Sequence, residues 1–300
     1  MKPWQRWWLL TKSGTVATVV CGRNTNNERT KAQQPRGQYL VANIFEYPLL
    51  KEGLTVGIVT PDLHVPEHDV KAHKAVCNYV EELQPNYWVD LGDFMNYDEI
   101  SRHVGKNIRT IIGKSLAKSN AMGNKVLDER QAALGEGKYI QIEGNHDKRP
   151  EDIINENPVL EGIIEIEKAL DFAGRDIDYV RYWTNGDMVK IGKSFFLHGR
   201  YVNEFHAKKH VDRYGKNVFF GHTHDIQSYS KVWEGDGETR IGQSLGCLCK
   251  YALDYKKASP DKWQQAVTTF YWRPNGLFSY FISPIFNGKF IAPNGKEYTS

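Results

Sequence analysis

The sequence predicts a layered α/β domain, and three observations predict it. From about residue 51, short β-type apolar runs alternate with amphipathic helical stretches. After residue 178 the character shifts to closely spaced strands. The last hundred residues then carry Asn275-Gly276, Asn287-Gly288 and Asn294-Gly295, each flanked by β-type residues as a hairpin turn requires. A β/α/β start followed by β-rich structure is built in layers around a common core.

Taken in order, residues 1–50 stand apart as an N-terminal appendage and polar linker, and residues 51–300 form the domain. Trp4, Trp7 and Trp8 lie beside Lys2 and Arg6, and Gly22 to Gly37 is rich in Asn, Gln, Arg and Lys. The tryptophans can stack on bases; docking onto the main domain is the expected reading, because exposed Trp clusters are unusual. Leu54–Thr60 reads as the first strand. Val70, His73, Cys77, Val80 and Leu83 recur at helical spacing, which predicts a helix over 67–84 closed by Pro85. Tyr87–Leu91 is the next strand. Residues 97–134 are helix-compatible, broken at Gly105, Gly113 and Gly123. Tyr139–Ile142 is a third strand, and 151–173 gives one or two helices interrupted at Asn157-Pro158. Strands follow at Tyr179–Trp183, Met188–Ile191, Ser194–Leu197 and Val218–Phe220, with a basic helix at about 203–214 before the last.

Composition narrows the function classes. The chain has 300 residues, 40% hydrophobic and 25% charged, with a formal net charge of +3. A site that handles phosphate must therefore draw its positive potential from metals or a few basic side chains. No run of 18 apolar residues occurs, so a soluble, cytoplasmic protein without membrane contact is expected. Four cysteines with no CxxC pair argue against a disulfide framework. Cys247 and Cys249 read as alternate residues of a strand or strand end with one thiol buried, rather than as a soft-metal half-site. No obligate protein partner is evident.

Five short segments carry the chemistry, each just after a predicted strand: Asp62-Leu63-His64, Gly92-Asp93, Gly144-Asn145-His146-Asp147, His198-Gly199 and Gly221-His222-Thr223-His224. Groups at the C-terminal ends of strands, in turns kept tight by glycine, point into one crevice. Residues two apart in extended chain face the same way, so Asp62 and His64 can grip one ion. His222 and His224 can do the same, or divide between two neighbouring ions. Five of the ten histidines lie in these segments, too many for chance. Carboxylate, imidazole and amide donors without thiolate suit Mn, Fe, Ni or Zn in an open hydrolytic site, not a closed structural zinc site.

The ordered set D-x-H, GD, GNHD, HG and GHTH resembles the calcineurin-like metallophosphoesterase superfamily over residues 62 to 224, and the stretch from Gly221 to Tyr255 is similar to its phage and bacterial members. The resemblance implies a sandwich of two mixed β-sheets flanked by helices, with a dimetal site at the strand edges. It implies two divalent metal ions, manganese first. Asp62, His64 and His224 would hold one and Asn145, His198 and His222 the other, with Asp93 bridging. A metal-activated water would then hydrolyse a phosphate ester. His146 would face the leaving group, and Asp147 would orient it through its other ring nitrogen. The chain departs from the family pattern at Asn96, where many members carry an acid three residues after the GD aspartate. Every expected ligand and His146 are present, which argues for an active enzyme rather than a silent scaffold.

Taken singly, Asp62 and Asp93 read as turn residues and His198 or His222 as core histidines; the ordered set outweighs those readings. Asp90 is expected to be partnered and not a ligand. Lys148, Arg149, Arg200, Lys208, Lys209, Arg213 and Lys216, with His206 and His210, form a basic group behind the site. A solvated charged face is its plainer reading, and a contact surface for a nucleic-acid backbone its functional one. Arg149 and Arg200, next to motif residues, are expected to touch substrate phosphate. A phosphodiesterase or nuclease-like activity is the first expectation, a phosphomonoesterase or protein phosphatase the second.

Overall fold

In the computed structural model, residues 42–102, 111–251 and 262–300 are described. The Trp cluster and the polar linker lie outside them. Two six-stranded mixed sheets stack with helices on their outer faces. The first sheet contains β2 (Thr55–Thr60), β3 (Tyr87–Asp90), β4 (Lys138–Ile142), β5 (Asp178–Val180), β11 (Ala266–Trp272) and β12 (Phe278–Pro284), in the order β12-β11-β2-β3-β4-β5. Strands β2 to β5 are parallel, and β11 pairs antiparallel with both β2 and β12. The second contains β1 (Ile44–Tyr47), β6 (Met188–Ile191), β7 (Ser194–Leu197), β8 (Asn217–Phe220), β9 (Ser228–Val232) and β10 (Thr239–Ser244), in the order β1-β6-β7-β8-β10-β9. Among the described residues, no helix is long and apolar enough to cross a membrane.

Period-two alternation sorts the first sheet's side chains between two cores. Val59, Val89, Ile140, Ile142, Phe270 and Trp272 face the second sheet and pack with Val189, Phe196, Phe219 and Phe220. Ile58, Trp88 and Tyr139 face outward onto α1 (Val70–Leu83) and α2 (Leu116–Leu134). In α1 the buried stripe is Ala72, His73, Ala75, Val76, Tyr79 and Val80. The spacing rule found His73 and Val80 but also named Val70, which is 59% exposed. The rule passed over the alanines, whose small side chains let the helix approach the sheet. The C-terminal hairpin of β13 (Lys289–Ile291) and β14 (Glu297–Thr299) closes that core by laying Phe290 and Tyr298 on Tyr79, at ring separations of 5.6 and 4.8 Å.

Several elements differ from the sequence expectation. Ile44–Tyr47, on the linker side of residue 51, pairs in parallel with β6 as an edge strand of the second sheet. Its residues are mostly exposed, so it lacks the apolar run that marks a central strand. Gly123 sits inside α2 and does not break it. Expected strand 179–183 ends at Val180, and Tyr182–Asn185 forms a one-turn helix, α5, stopped by Gly186. The intervening helices are α3 (Arg149–Glu156) and α4 (Ile166–Ala169), separated at Asn157-Pro158 as expected. Of the three Asn-Gly pairs, only Asn287-Gly288 has positive φ at both residues (53° and 72°), as a type I′ turn needs. Cys247 and Cys249 lie beyond β10 in the connection to β11, and both are fully buried rather than one.

Candidate metal centre

The parallel strands β2, β3 and β4 end on one edge of the first sheet, and β7 and β8 end beside them in the second. The five motif turns leave these ends and meet. Backbone bonds lock them together: His64 N–H donates to the Asp93 carbonyl at 2.9 Å, and Gly221 N–H to the His198 carbonyl at 2.9 Å. The Asp62 carboxylate accepts the His222 N–H at 2.9–3.0 Å, joining the two sheets. Asp62, His64, Asp93, His222 and His224 all have φ between 47° and 69°. Left-handed backbone is costly for residues with a Cβ and persists where the surroundings force it. A Cβ on Gly144 would lie 2.1 Å from Asp93 Oδ1, and one on Gly221 would lie 2.1 Å from Asp62 Oδ2, so both turns require glycine.

The donors form two groups sharing one carboxylate. In the first, His224 Nε2 lies 3.2 Å from Asp62 Oδ1 and 3.1 Å from His64 Nε2. In the second, His198 Nε2 lies 3.1 Å from Asn145 Oδ1, and His222 meets His198 edge-on with ring centres 4.9 Å apart. Asp93 stands between them. Its Oδ1 accepts the His146 N–H at 2.8 Å, which leaves Oδ2 at 3.7 Å from His64 Nε2 and 3.5 Å from His198 Nε2. His198 is aimed by its other nitrogen, which donates to the Leu91 carbonyl at 2.9 Å. Buried imidazole nitrogens and carboxylate oxygens facing one another at 3.1–3.7 Å make a set that divalent cations fit. All seven expected ligands are therefore brought together.

Electrostatics follow from burial and from Asp93. Burial holds His64 and His222 down to about 4. Burial also opposes a charge on His198, but the Asp93 carboxylate outweighs it and lifts the imidazole to about 9. Burial raises Asp93 itself, yet His198 and His146 overcome this and hold it well below the usual carboxylate range. The centre thus keeps a negative charge at its midpoint with His64 and His222 neutral beside it, while His198 holds a proton that a bound cation would displace.

His146 lies at the mouth of this cluster, its Nε2 3.9 Å from Asp93 Oδ2. Its Nδ1 donates to Asn96, at 2.9 Å to the carbonyl and 3.0 Å to the side-chain oxygen. The partner is thus the residue where the chain departs from the family pattern. Asp147 does not orient His146. Its carboxylate accepts the N–H groups of Met95 (2.9 Å), Gly144 (3.0 Å) and Phe94 (3.3 Å), clamping the turn after β3 to the turn after β4. Asp147 points away because the tight GNHD turn directs its side chain into the sheet edge rather than along the imidazole.

Arg149 reaches the site: its guanidinium bonds the Asn96 carbonyl at 2.5 Å and Asp98 at 3.0 Å, and lies 3.3 Å from His146 Nε2. Arg200 lies on the far side, exposed, over the faces of Tyr182 and Trp183 at 5.4 and 5.5 Å. Trp183, which sequence reasoning placed in a strand, stands against His222 and His198 with ring centres 5.2 and 5.8 Å away. No local signal marks it, since α5 is only one turn long. The basic group divides. On α6 (His206–Tyr214), His206 and His210 turn inward. His206 Nε2 pairs with Asp225 at 3.0 Å, and His210 Nε2 accepts the Arg200 N–H at 3.2 Å. Those two histidines brace the HG and GHTH turns. Outward, Lys208 is paired with Asp212, and Lys209 covers Tyr201. Asp90 is partnered, as expected: it pairs with Arg130 at 2.5 Å.

No family model matches the chain. It is 26% identical over 222 residues to the Gene 54 protein of Mycobacterium phage L5, covering 69% of this chain and 85% of that protein. Identity and coverage are the same for the Gene 54 protein of Mycobacterium phage D29. Similar solved structures include wild-type Vps29 complexed with zinc from Entamoeba histolytica (11% identity, TM-score 0.42, 82% of this chain and 98% of that one). Vps29 of Cryptosporidium parvum is alike to the same degree (13%, TM-score 0.42, 83% and 98%).

Proposed function

We propose that this chain is a two-metal phosphoesterase of the calcineurin-like kind that hydrolyses phosphodiesters, with nucleic acid as the first substrate class. The observation that carries the reading is the Asp93 carboxylate, set between two groups of largely buried carboxylate, imidazole and amide donors. Asp62, His64 and His224 would hold one divalent cation and Asn145, His198 and His222 the other, with Asp93 in contact with both. Such a pair supplies Lewis acidity to the phosphoryl oxygens and acidifies water. The protein's own part is positional. His146, its Nδ1 fixed on Asn96, would face the departing oxygen with Nε2, either donating a proton as the imidazolium or stabilising charge there. Arg149 lies beside that nitrogen, where it would meet a phosphoryl oxygen. Trp183 with Arg200 offers an aromatic face next to the second donor group, and this favours a leaving group that carries a base.

The test is manganese-dependent hydrolysis of bis-p-nitrophenyl phosphate, p-nitrophenyl phosphate and single-stranded DNA. Preference for the diester with DNA degraded supports the proposal. Preference for the monoester with DNA intact replaces it with a phosphatase, and no turnover with metal bound replaces it with a binding scaffold. His146→Ala is expected to lower kcat by about 10²–10⁴-fold while bound manganese stays unchanged; loss of metal along with activity would make His146 a ligand.

A further inference from the structure

Behind the dimetal cluster lies a second set of donors. Cys247, Cys249 and His224 offer two sulfurs and one ring nitrogen within 4.8 Å of one another, all buried. His224 turns Nε2 toward Asp62, and its other nitrogen, Nδ1, stands 3.7 Å from Cys249 Sγ. A cation about 2.3 Å from sulfur and about 2.0 Å from nitrogen, with trigonal angles, spans a sulfur–nitrogen separation of about 3.7 Å. The His224–Cys249 separation matches that span, and Cys247 Sγ lies within 4.8 Å of both. The backbone around it is held from three sides. Leu248 N–H donates to the Asp62 carbonyl at 3.1 Å, Cys247 N–H to the Gln264 carbonyl at 2.9 Å, and Gln264 N–H to the His224 carbonyl at 2.8 Å. Trp263 covers the imidazole, with ring centres 4.0 Å apart.

We propose that Cys247, Cys249 and His224 Nδ1 form a separate site for a thiophilic, three-coordinate cation of the Cu⁺ type, one imidazole ring away from the first donor group of the phosphoesterase centre. Two thiolates and an imidazole select soft ions, whereas the carboxylate-rich cluster on the other side of His224 selects harder ones. The two sites thus differ in preference while sharing a ring, which would bridge them as an imidazolate, its remaining ring proton and the two thiol protons leaving to solvent as the cation enters. The sequence reading set this pair aside as a strand or strand end with one thiol buried; His224 lies 23 residues before Cys247, and only the fold presents its second nitrogen to the sulfurs.

The experiment is anaerobic titration of the manganese-loaded full chain with Cu⁺, following the thiolate-to-copper absorption band. A band that saturates at one equivalent, survives in Cys21→Ser/Cys77→Ser and disappears in Cys247→Ser/Cys249→Ser is the expected result. No band, or a band retained in the Cys247→Ser/Cys249→Ser chain, overturns the proposal. Should that variant fail to fold, the copper X-ray absorption spectrum of the unmodified chain decides: sulfur neighbours in the Cys21→Ser/Cys77→Ser background support the site, and a shell of light atoms alone refutes it. Manganese spin resonance on the same samples before copper is added reads the dimetal cluster by itself, so a failure of the phosphoesterase reading is seen apart from a failure of this one.

Discussion

Within the GNHD turn, neighbouring residues do opposite jobs. His146 is held from its Nδ1 by Asn96, while Asp147 satisfies three backbone N–H groups of adjoining turns. Their substitutions should separate accordingly. Asn96→Ala removes the side-chain acceptor and leaves the backbone carbonyl as the one hold on Nδ1, so it is expected to lower kcat by about 10-fold, the low end of such effects, with metal content and melting temperature nearly kept; Asn96→Asp, which restores the side-chain acceptor, should keep most of the activity. Asp147→Ala strands buried N–H groups and is expected to cost about 3 kcal/mol of stability, read in urea unfolding, with metal lost as the turns part. If Asp147→Ala instead lowered kcat in a fully stable, metal-loaded protein, the bracing role given to Asp147 would be wrong.

Helices matter here for what they push into the strand ends. α2 carries Arg130, fully buried, whose guanidinium bonds Asp90 at 2.5 Å and the Tyr139 hydroxyl at 2.6 Å and lies over the Trp88 ring. Asp90 in turn accepts the Gly92 N–H at 3.1 Å, so this pair sets the turn that ends in Asp93. Removing one partner of a buried pair leaves the other charge uncompensated. Arg130→Met should therefore cost about 3–5 kcal/mol and weaken manganese binding although it touches no ligand; a double Arg130→Met/Asp90→Asn chain should recover much of the loss. Equal instability of the single and double variants would show that packing, not charge, is what Arg130 contributes. α6 works the same way through His206 on Asp225 and His210 on the Arg200 backbone, which is why its histidines did not join a basic surface.

For the whole molecule, the buried histidines set the response to acid. Burial holds His68 and His210 down to about 4 and His73 well below its usual 6.5, and none of the three is in the proposed ligand set. Around each, basic neighbours reinforce the effect: Arg130 and Lys250 near His68, Arg130 near His73, and Lys209 near His210. Between about pH 4 and 6.5 the unfolded chain binds protons that the folded chain refuses, so stability falls as pH drops through that window. Asp147, which burial and Asp93 push up to about 8, and Asp90 and Glu143, which burial raises, act in the opposite direction, against the lowered imidazoles of His64, His68, His73, His146, His210 and His222. The urea midpoint should be lower at pH 5 than at pH 7, and a midpoint unchanged across that interval would mean these imidazoles titrate normally in the fold.

The sequence by itself determined most strand ends, the layered α/β class and the five donor-bearing turns, because each of these is written locally: in period-two runs, in glycines that tight turns demand, and in donor residues placed directly after strands; the two-sheet sandwich and the seven-donor set came from the ordered motifs' resemblance to a known superfamily. Only the tertiary structure decided what each donor's second atom meets. That Asn96 rather than Asp147 holds His146, that Trp183 walls the second donor group, that Ile44–Tyr47 closes a sheet edge, and that His224 shows its far nitrogen to Cys249 all depend on contacts between segments far apart in the chain or on the direction a tight turn gives a side chain. Spacing along a chain fixes which residues can share a face; it carries no information on which distant segment the fold will set against that face.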